Sequence, residues 1–238
     1  MHAAVPGRWS YRRDRDRPDV EYGVWEGTVA PDVAVHFHPQ NQLTVVLSGG
    51  RTFQAGHRVF TVSAGQCLHI PAGLPHKSLP VAHPGTRCLN IYLDLQGLGG
   101  EPMVVAVPDI AADAQAALSA LPRIVGHLLR SAGRAGGRSQ ATGMGVALLS
   151  GREPLGAIAA RNRLSREGFS RQFTRKTGIP PSGYRLVSRL NEARLRLRGD
   201  ISIADLAADL GFSDQSHFGR HFRRVFGISP DAYRKGMR

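Results

Sequence analysis

The sequence predicts an α+β chain of two domains, an N-terminal antiparallel β-barrel followed by an all-α domain with two helix-turn-helix motifs. Three observations predict it. Short apolar stretches alternate with turn signals over the first hundred residues, a helical period takes over after them, and the last seventy residues contain an internal repeat. At 238 residues the chain has room for two modest domains with separate cores.

Residues 1–20, with the alternating run RRDRDR, hold few large apolar groups and read as a flexible arm, disordered unless it docks on something. From 21 to 107 strand-like stretches recur: VAVHF (33–37), LTVVLS (43–48), RTFQA (51–55), RVFTV (58–62), QCLHI (66–70) and RCLNIYLDL (87–95). Gly49-Gly50 and Ala64-Gly65 supply the tight reversals between them, and short strands at this spacing make an antiparallel barrel or sandwich. Cys67 and Cys88 lie inside two of these strands with no ligand-like spacing, so buried free thiols are expected.

In the 108–136 segment Ile110, Ala114, Ala117, Leu118, Leu121, Val125, Leu128 and Leu129 recur at steps of three and four, the mark of one apolar helical face. Pro122 is expected to divide it into two helices. Such a face packs on the barrel or on a second copy of itself, so the segment reads as linker and dimerisation helices. Residues 131–143 are Gly-rich with little to bury and read as a flexible stretch before the last domain, 137–238.

Charge separates the two halves. The chain has 31 basic and 18 acidic side chains, a formal +13. Residues 1–107 carry nine Arg and Lys against eight Asp and Glu, whereas residues 137–238 carry nineteen against eight. A surplus confined to one domain is the footprint of a nucleic-acid partner, because phosphate affinity comes largely from Arg and Lys releasing counterions. No run of 18 apolar residues occurs and the N-terminus lacks a signal-peptide core, so a cytoplasmic protein with no membrane partner is expected.

The repeat carries the functional reading. Phe169, Arg171, Phe173, Arg175, Gly178, Ile179, Pro181, Tyr184 and Arg185 recur 49 positions later as Phe218, Arg220, Phe222, Arg224, Gly227, Ile228, Pro230, Tyr233 and Arg234. Each unit reads as a helix, a short turn, a second helix opened by a hydroxyl cap, a Gly stop and a Pro-led start. In the second unit Gly211 takes the turn and Ser213 the cap, while Gln215, Ser216, Gly219, Arg220 and Arg223 lie off the apolar face. Gln pairs well with adenine and Arg with guanine in a major groove. The helix pattern at 182–197 between the units is 16 residues long, about 24 Å. With the width of its neighbours, that strut sets two recognition helices about 34 Å apart, one DNA turn.

The string IADLAADLGFSDQSHFGRHFRRVFGISPDAYR (203–234) resembles the signature of the AraC/XylS transcription regulators, and the unit from Pro154 to Arg185 resembles the first half of the same DNA-binding domain. The resemblance implies base-reading positions at Glu167, Ser170 and Arg171 in the first recognition helix and at Gln215, Ser216 and Arg220 in the second. The first unit departs from the pattern. Arg163 stands where the second has Gly211, and its recognition helix is one residue shorter before the Phe, so its turn geometry is left open.

His36 and His38, on one face of a strand, with Gln42 four residues on, resemble the first cupin motif; Gly65, Pro71, Gly73 and His76 resemble the second. The resemblance implies a cupin-like barrel binding a small-molecule effector through His36, His38, Gln42 and His76, or a divalent metal through His36, His38 and His76. Gln42 and Pro80 depart from it, standing where the motifs have Glu and Asn. A third reading leaves the histidines as hydrogen-bonded core groups. The expectation is therefore a ligand-responsive regulator, not an enzyme, that binds double-stranded DNA and a small effector, with a second copy of the chain and RNA polymerase as further partners; whether it acts as an activator or a repressor is left open. Its rivals are a metal-dependent cupin enzyme carrying a DNA-binding domain, against which Gln42 counts, and an architectural protein with little sequence preference.

Overall fold

The computed structural model describes residues 7–80, 85–107, 113–135 and 153–238. Its strands are β1 (Arg8–Arg13), β2 (Glu21–Gly27), β3 (Asn41–Ser48), β4 (Gly50–Ala55), β5 (Arg58–Ser63), β6 (Gln66–Ile70), β7 (His76–Ser78), β8 (Thr86–Leu93) and β9 (Met103–Ala106). They pair antiparallel in two sheets, a six-stranded one in the order β1-β2-β8-β3-β6-β9 and a three-stranded one in the order β5-β4-β7. The antiparallel expectation holds, but the sheets stay separate where a closed barrel was expected. Residues 33–37 are likewise not a strand. Pro31 and Pro39 bracket them, each lacking a ladder N–H, and the segment makes a single antiparallel bridge between His36 and His76.

Period-two alternation on β3 and β8 decides which side chains meet which neighbour. Leu43, Val45 and Leu47 with Leu89, Ile91 and Leu93 point to one face, where they pack on α1 (Ala114–Ser119) and α2 (Leu121–Ala135) through Leu118, Ile124 and Leu128. Gln42, Thr44 and Val46 with Cys88, Asn90 and Tyr92 have the opposite parity, toward the three-stranded sheet and the helical domain. Cys67 and Cys88 are buried free thiols in these two separate cores. Asp113 caps α1 by accepting from the amides of Gln115 and Ala116, and Pro122 sits in the first turn of α2, where a missing N–H leaves no bond unmade. Residues 131–135 close α2, and the rest of the Gly-rich stretch lies outside the described residues.

The helical domain runs α3 (Leu155–Arg161), α4 (Arg166–Thr177), α5 (Pro181–Arg196), α6 (Ile203–Asp209), α7 (Gln215–Phe226) and α8 (Pro230–Met237). Phe169, Phe173, Phe218, Phe222, Phe226, Tyr184 and Tyr233 form an aromatic core that continues into the front domain without a break. Part of the arm joins it. β1 pairs with β2 in the register Trp9↔Trp25 and Tyr11↔Gly23, and both aromatic side chains are buried. The Tyr11 hydroxyl donates to the Phe226 carbonyl at 3.1 Å, and α8 comes so close that a Cβ on Gly236 would lie 1.9 Å from the Tyr11 carbonyl oxygen. Trp9 and Tyr11 at i and i+2 are the strand signal within a segment read as an arm by its charges.

Candidate DNA-reading helices and effector site

Both helix-turn-helix units have the same turn. Leu164 N–H donates to the Ala159 carbonyl at 3.0 Å, and its counterpart Phe212 N–H to the Ala207 carbonyl at 2.9 Å. The residue before each has positive φ, 56° for Arg163 and 73° for Gly211. Arg163 therefore adopts the conformation that Gly211 takes freely. The length difference falls after the turn, where one extra residue separates Phe212 from the cap of α7, since α4 and α7 are both 12 residues with Phe at the fourth position. Ser165 caps α4 by accepting from Gly168 N–H at 3.0 Å. In α7 the cap is Asp214, not Ser213 as expected. The Asp214 carboxylate accepts from His217 N–H at 2.7 Å, a stronger, charge-assisted bond, and Ser213 turns to His217 Nδ1 at 3.0 Å.

Of the expected base-reading residues, Glu167 and Arg171 on α4 and Gln215, Ser216 and Arg220 on α7 are exposed, and Ser170 is half-buried. None of the charged three forms an ion pair among the described residues. Arg189, on α5, was not foreseen. It donates to the carbonyls of Leu210 and Gly211 at 3.2 and 3.1 Å and lies over the Phe212 ring at 4.7 Å, holding the second turn in place.

In the front domain the expected four residues do meet. The rings of His36, His38 and His76 have centroids 4.5 to 5.3 Å apart, with one nitrogen from each within 4.8 Å of the others. The Gln42 amide lies against His76 Nε2 at 3.1 Å and continues through Thr44 and Asn90 to the Tyr92 hydroxyl. Burial pushes His36 and His38 well below the usual histidine range and His76 down to about 4, so all three are neutral at pH 7. His36 holds Nδ1 against the Ala34 carbonyl at 2.7 Å and so carries its proton there, whereas His76 faces an acceptor at each nitrogen, the Leu74 carbonyl at Nδ1, 2.9 Å, and the Gln42 Oε1 at Nε2.

His38 differs. Its Nδ1 accepts from Arg194, on α5, at 2.6 Å, which places its proton on Nε2. Arg194 also pairs with Glu21, whose other oxygen accepts from Arg198 at 3.0 Å and from the Tyr233 hydroxyl at 2.6 Å. The histidine cluster is thus built directly against the helix that joins the two helix-turn-helix units. Three imidazoles within reach of one point could hold a metal ion, but in this arrangement Arg194 stands against it. It occupies the free lone pair of His38, and its guanidinium stands where a cation would be repelled.

Residues 158–236 match the family described as a helix-turn-helix domain, and residues 24–82 match the cupin domain. The chain thus joins a stretch that matches the cupin domain to one that matches the helix-turn-helix domain. Over 81 residues the chain is 42% identical to the HTH-type transcriptional activator RhaS of Escherichia coli strain UTI89, and 41% identical to that of strain SE11. The match covers 34% of this chain and 29% of each relative, so the shared part is less than a third of those activators. Both domains together match apo ToxT of Vibrio cholerae strain SCE256, at a TM-score of 0.59 and 10% identity over 95% of this chain and 100% of that one. The wild-type ToxT structure with bound unsaturated fatty acid matches at 0.54 and 10% identity over 100% and 98%. At such identities the likeness is one of fold.

Sequence reasoning missed the residues that bind the domains together. Glu21, Arg194 and Arg198 carry no motif that singles them out, and Arg51 appears only as part of a strand. For Arg194 a signal existed: it falls on the face of the helix that also carries Val187, Leu190 and Asn191, all buried.

Proposed function

We propose that the chain is a sequence-specific DNA-binding transcription regulator whose hold on DNA responds to a small molecule bound between the cupin sheets and the helical domain. One observation carries the reading: two capped recognition helices expose Glu167, Arg171, Gln215, Ser216 and Arg220, with Ser170 at the edge, on a domain holding nearly all the surplus positive charge. Backbone binding needs only Arg and Lys, whereas this set mixes an acid, an amide and hydroxyls suited to base edges. The named relatives are activators, which supports activation, with RNA polymerase as a further partner. The α1/α2 layer, where Leu129 is exposed, is the surface for a second copy. Among the described residues no helix is long and apolar enough to cross a membrane, in keeping with a cytoplasmic site of action.

The effector site is the buried cluster of His36, His38, Gln42 and His76, which contacts the DNA-binding domain through Arg194. A divalent metal on His36, His38 and His76, or a metal-dependent enzyme built on it, is the weaker reading, because each requires breaking the Arg194 bond to His38. Metal analysis of protein prepared without added metal, repeated on His38→Ala, separates these readings. The DNA claim is tested by measuring affinity for selected DNA. Arg220→Ala should lose about 1–3 kcal/mol at one base position and relax preference there. An equal loss on every sequence would make Arg220 a phosphate contact instead.

A further inference from the structure

Arg51, on β4, is 3% exposed and has no acidic partner among the described residues. Its Nη2 donates to Ser78 Oγ at 2.8 Å, its Nη1 to Cys88 Sγ at 3.0 Å, and its guanidinium lies 4.8 Å from the Phe53 ring. Its Nε has no partner. Cys88 is not the missing anion, since burial raises its thiol pKa despite the arginine. A buried guanidinium without a counter-charge is strongly unfavourable, and proteins keep one where an anion compensates it.

The same residue lines a cavity of about 20 Å³ with His36, His76, Asn90, Trp9 and Val225. That volume suits about one water-sized group. Trp9 also lines the cavity, and its indole Nε1, which lies toward Gly227, is a second buried donor without a partner. Among the described residues no Asp or Glu lines the cavity, and its histidines are neutral. Two unsatisfied donors, one of them permanently charged, and no acid describe a site for a negative group.

We propose that this cavity takes the carboxylate head of an acidic small molecule, with Arg51 as its counter-cation and Trp9 as a second donor. The proposal rests on the regulator reading above and names the chemical class of its effector. A carboxylate already exceeds one water-sized group, so it and any body attached to it have to displace Trp9 of β1 or Val225 of α7. Val225 lies on the inner face of the second recognition helix, so occupancy is transmitted to the element that reads DNA.

The test uses the full chain without DNA. Acetate, benzoate and octanoate are titrated against their amides while Trp emission and Tm are followed. Carboxylates should quench saturably and raise Tm, and the amides should do neither. Arg51→Met should weaken carboxylate binding about ten- to hundredfold, as for loss of a charged hydrogen bond, and Arg51→Lys should retain part of it. Ser78→Ala, which removes only the group that orients Arg51, gives a smaller loss and serves if the Met variant does not fold. Equal response to acids and amides, or undiminished carboxylate binding by both the Met and Ala variants, overturns the proposal. Because no DNA is present, failure here leaves the DNA-reading claim standing. Carboxylate binding by a protein that prefers no DNA sequence would sink the regulator reading alone.

Discussion

The guanidinium of Arg194, on the helix between the two recognition units, donates to Nδ1 of His38 at 2.6 Å, in the heart of the cupin cluster. It also pairs with Glu21 and lies over the rings of Tyr92 and Phe226, 4.7 and 5.0 Å from their centres. Removing one member of a buried charge pair leaves the other uncompensated. Arg194→Met should therefore lower stability by about 3–5 kcal/mol. Adding Glu21→Gln should restore part of it, so that a double-mutant cycle by urea denaturation reads a positive coupling. A single-variant loss below about 1 kcal/mol would place the contact among surface-like pairs.

The arm strand makes a second prediction. Gly236 is where α8 meets β1, and any side chain there collides with the Tyr11 carbonyl. Gly236→Val should push β1 off α8, destabilise the protein by about 1–3 kcal/mol as overpacking does, and expose Trp9. A red-shifted Trp emission in the native baseline reads the displacement. An unshifted spectrum with unchanged stability would contradict this packing.

Arg163 holds a left-handed backbone conformation, with φ 56°, that Gly adopts without penalty. Arg163→Gly should stabilise the helical domain by about 0.5–1 kcal/mol, the net of relieved strain and glycine's greater chain entropy, whereas Gly211→Ala should destabilise it by a similar amount. Thermal denaturation of the two variants reads opposite shifts in Tm, and shifts of the same sign would contradict the equivalence of the two turns.

Buried neutral histidines make the front domain acid-sensitive. Burial lowers His69 and His76 to about 4 in the folded chain, below an unfolded value of about 6.5. The unfolded state thus binds the extra protons first. The stability from each group is full above pH 6.5 and is lost as pH falls toward 4, on the order of 3 kcal/mol apiece. The unfolding free energy should drop steeply between those limits, and a flat profile would show that these imidazoles are already charged in the fold.

The helical half was legible because its signals are local: caps, Gly stops, a Pro-led helix and a repeat that superposes Phe on Phe. The antiparallel front half was legible from alternation and turns. What escaped the sequence are long-range charge contacts, since Glu21 and Arg194 are 173 positions apart and each is, by type, a surface residue. Arg51 hid for the same reason inside a stretch that already read well as a strand. The arm misled because its charges outnumber Trp9 and Tyr11, although those two aromatics determine where it packs.

Selection of bound sequences from a random DNA pool by the full chain tests the central claim most directly. Two capped helices joined by one rigid strut should enrich a bipartite site whose halves lie about one helical turn, roughly 10 base pairs, apart. Arg171→Ala should then relax one half and Arg220→Ala the other. Enrichment of no sequence, with affinity that simply falls as salt rises, would contradict the account.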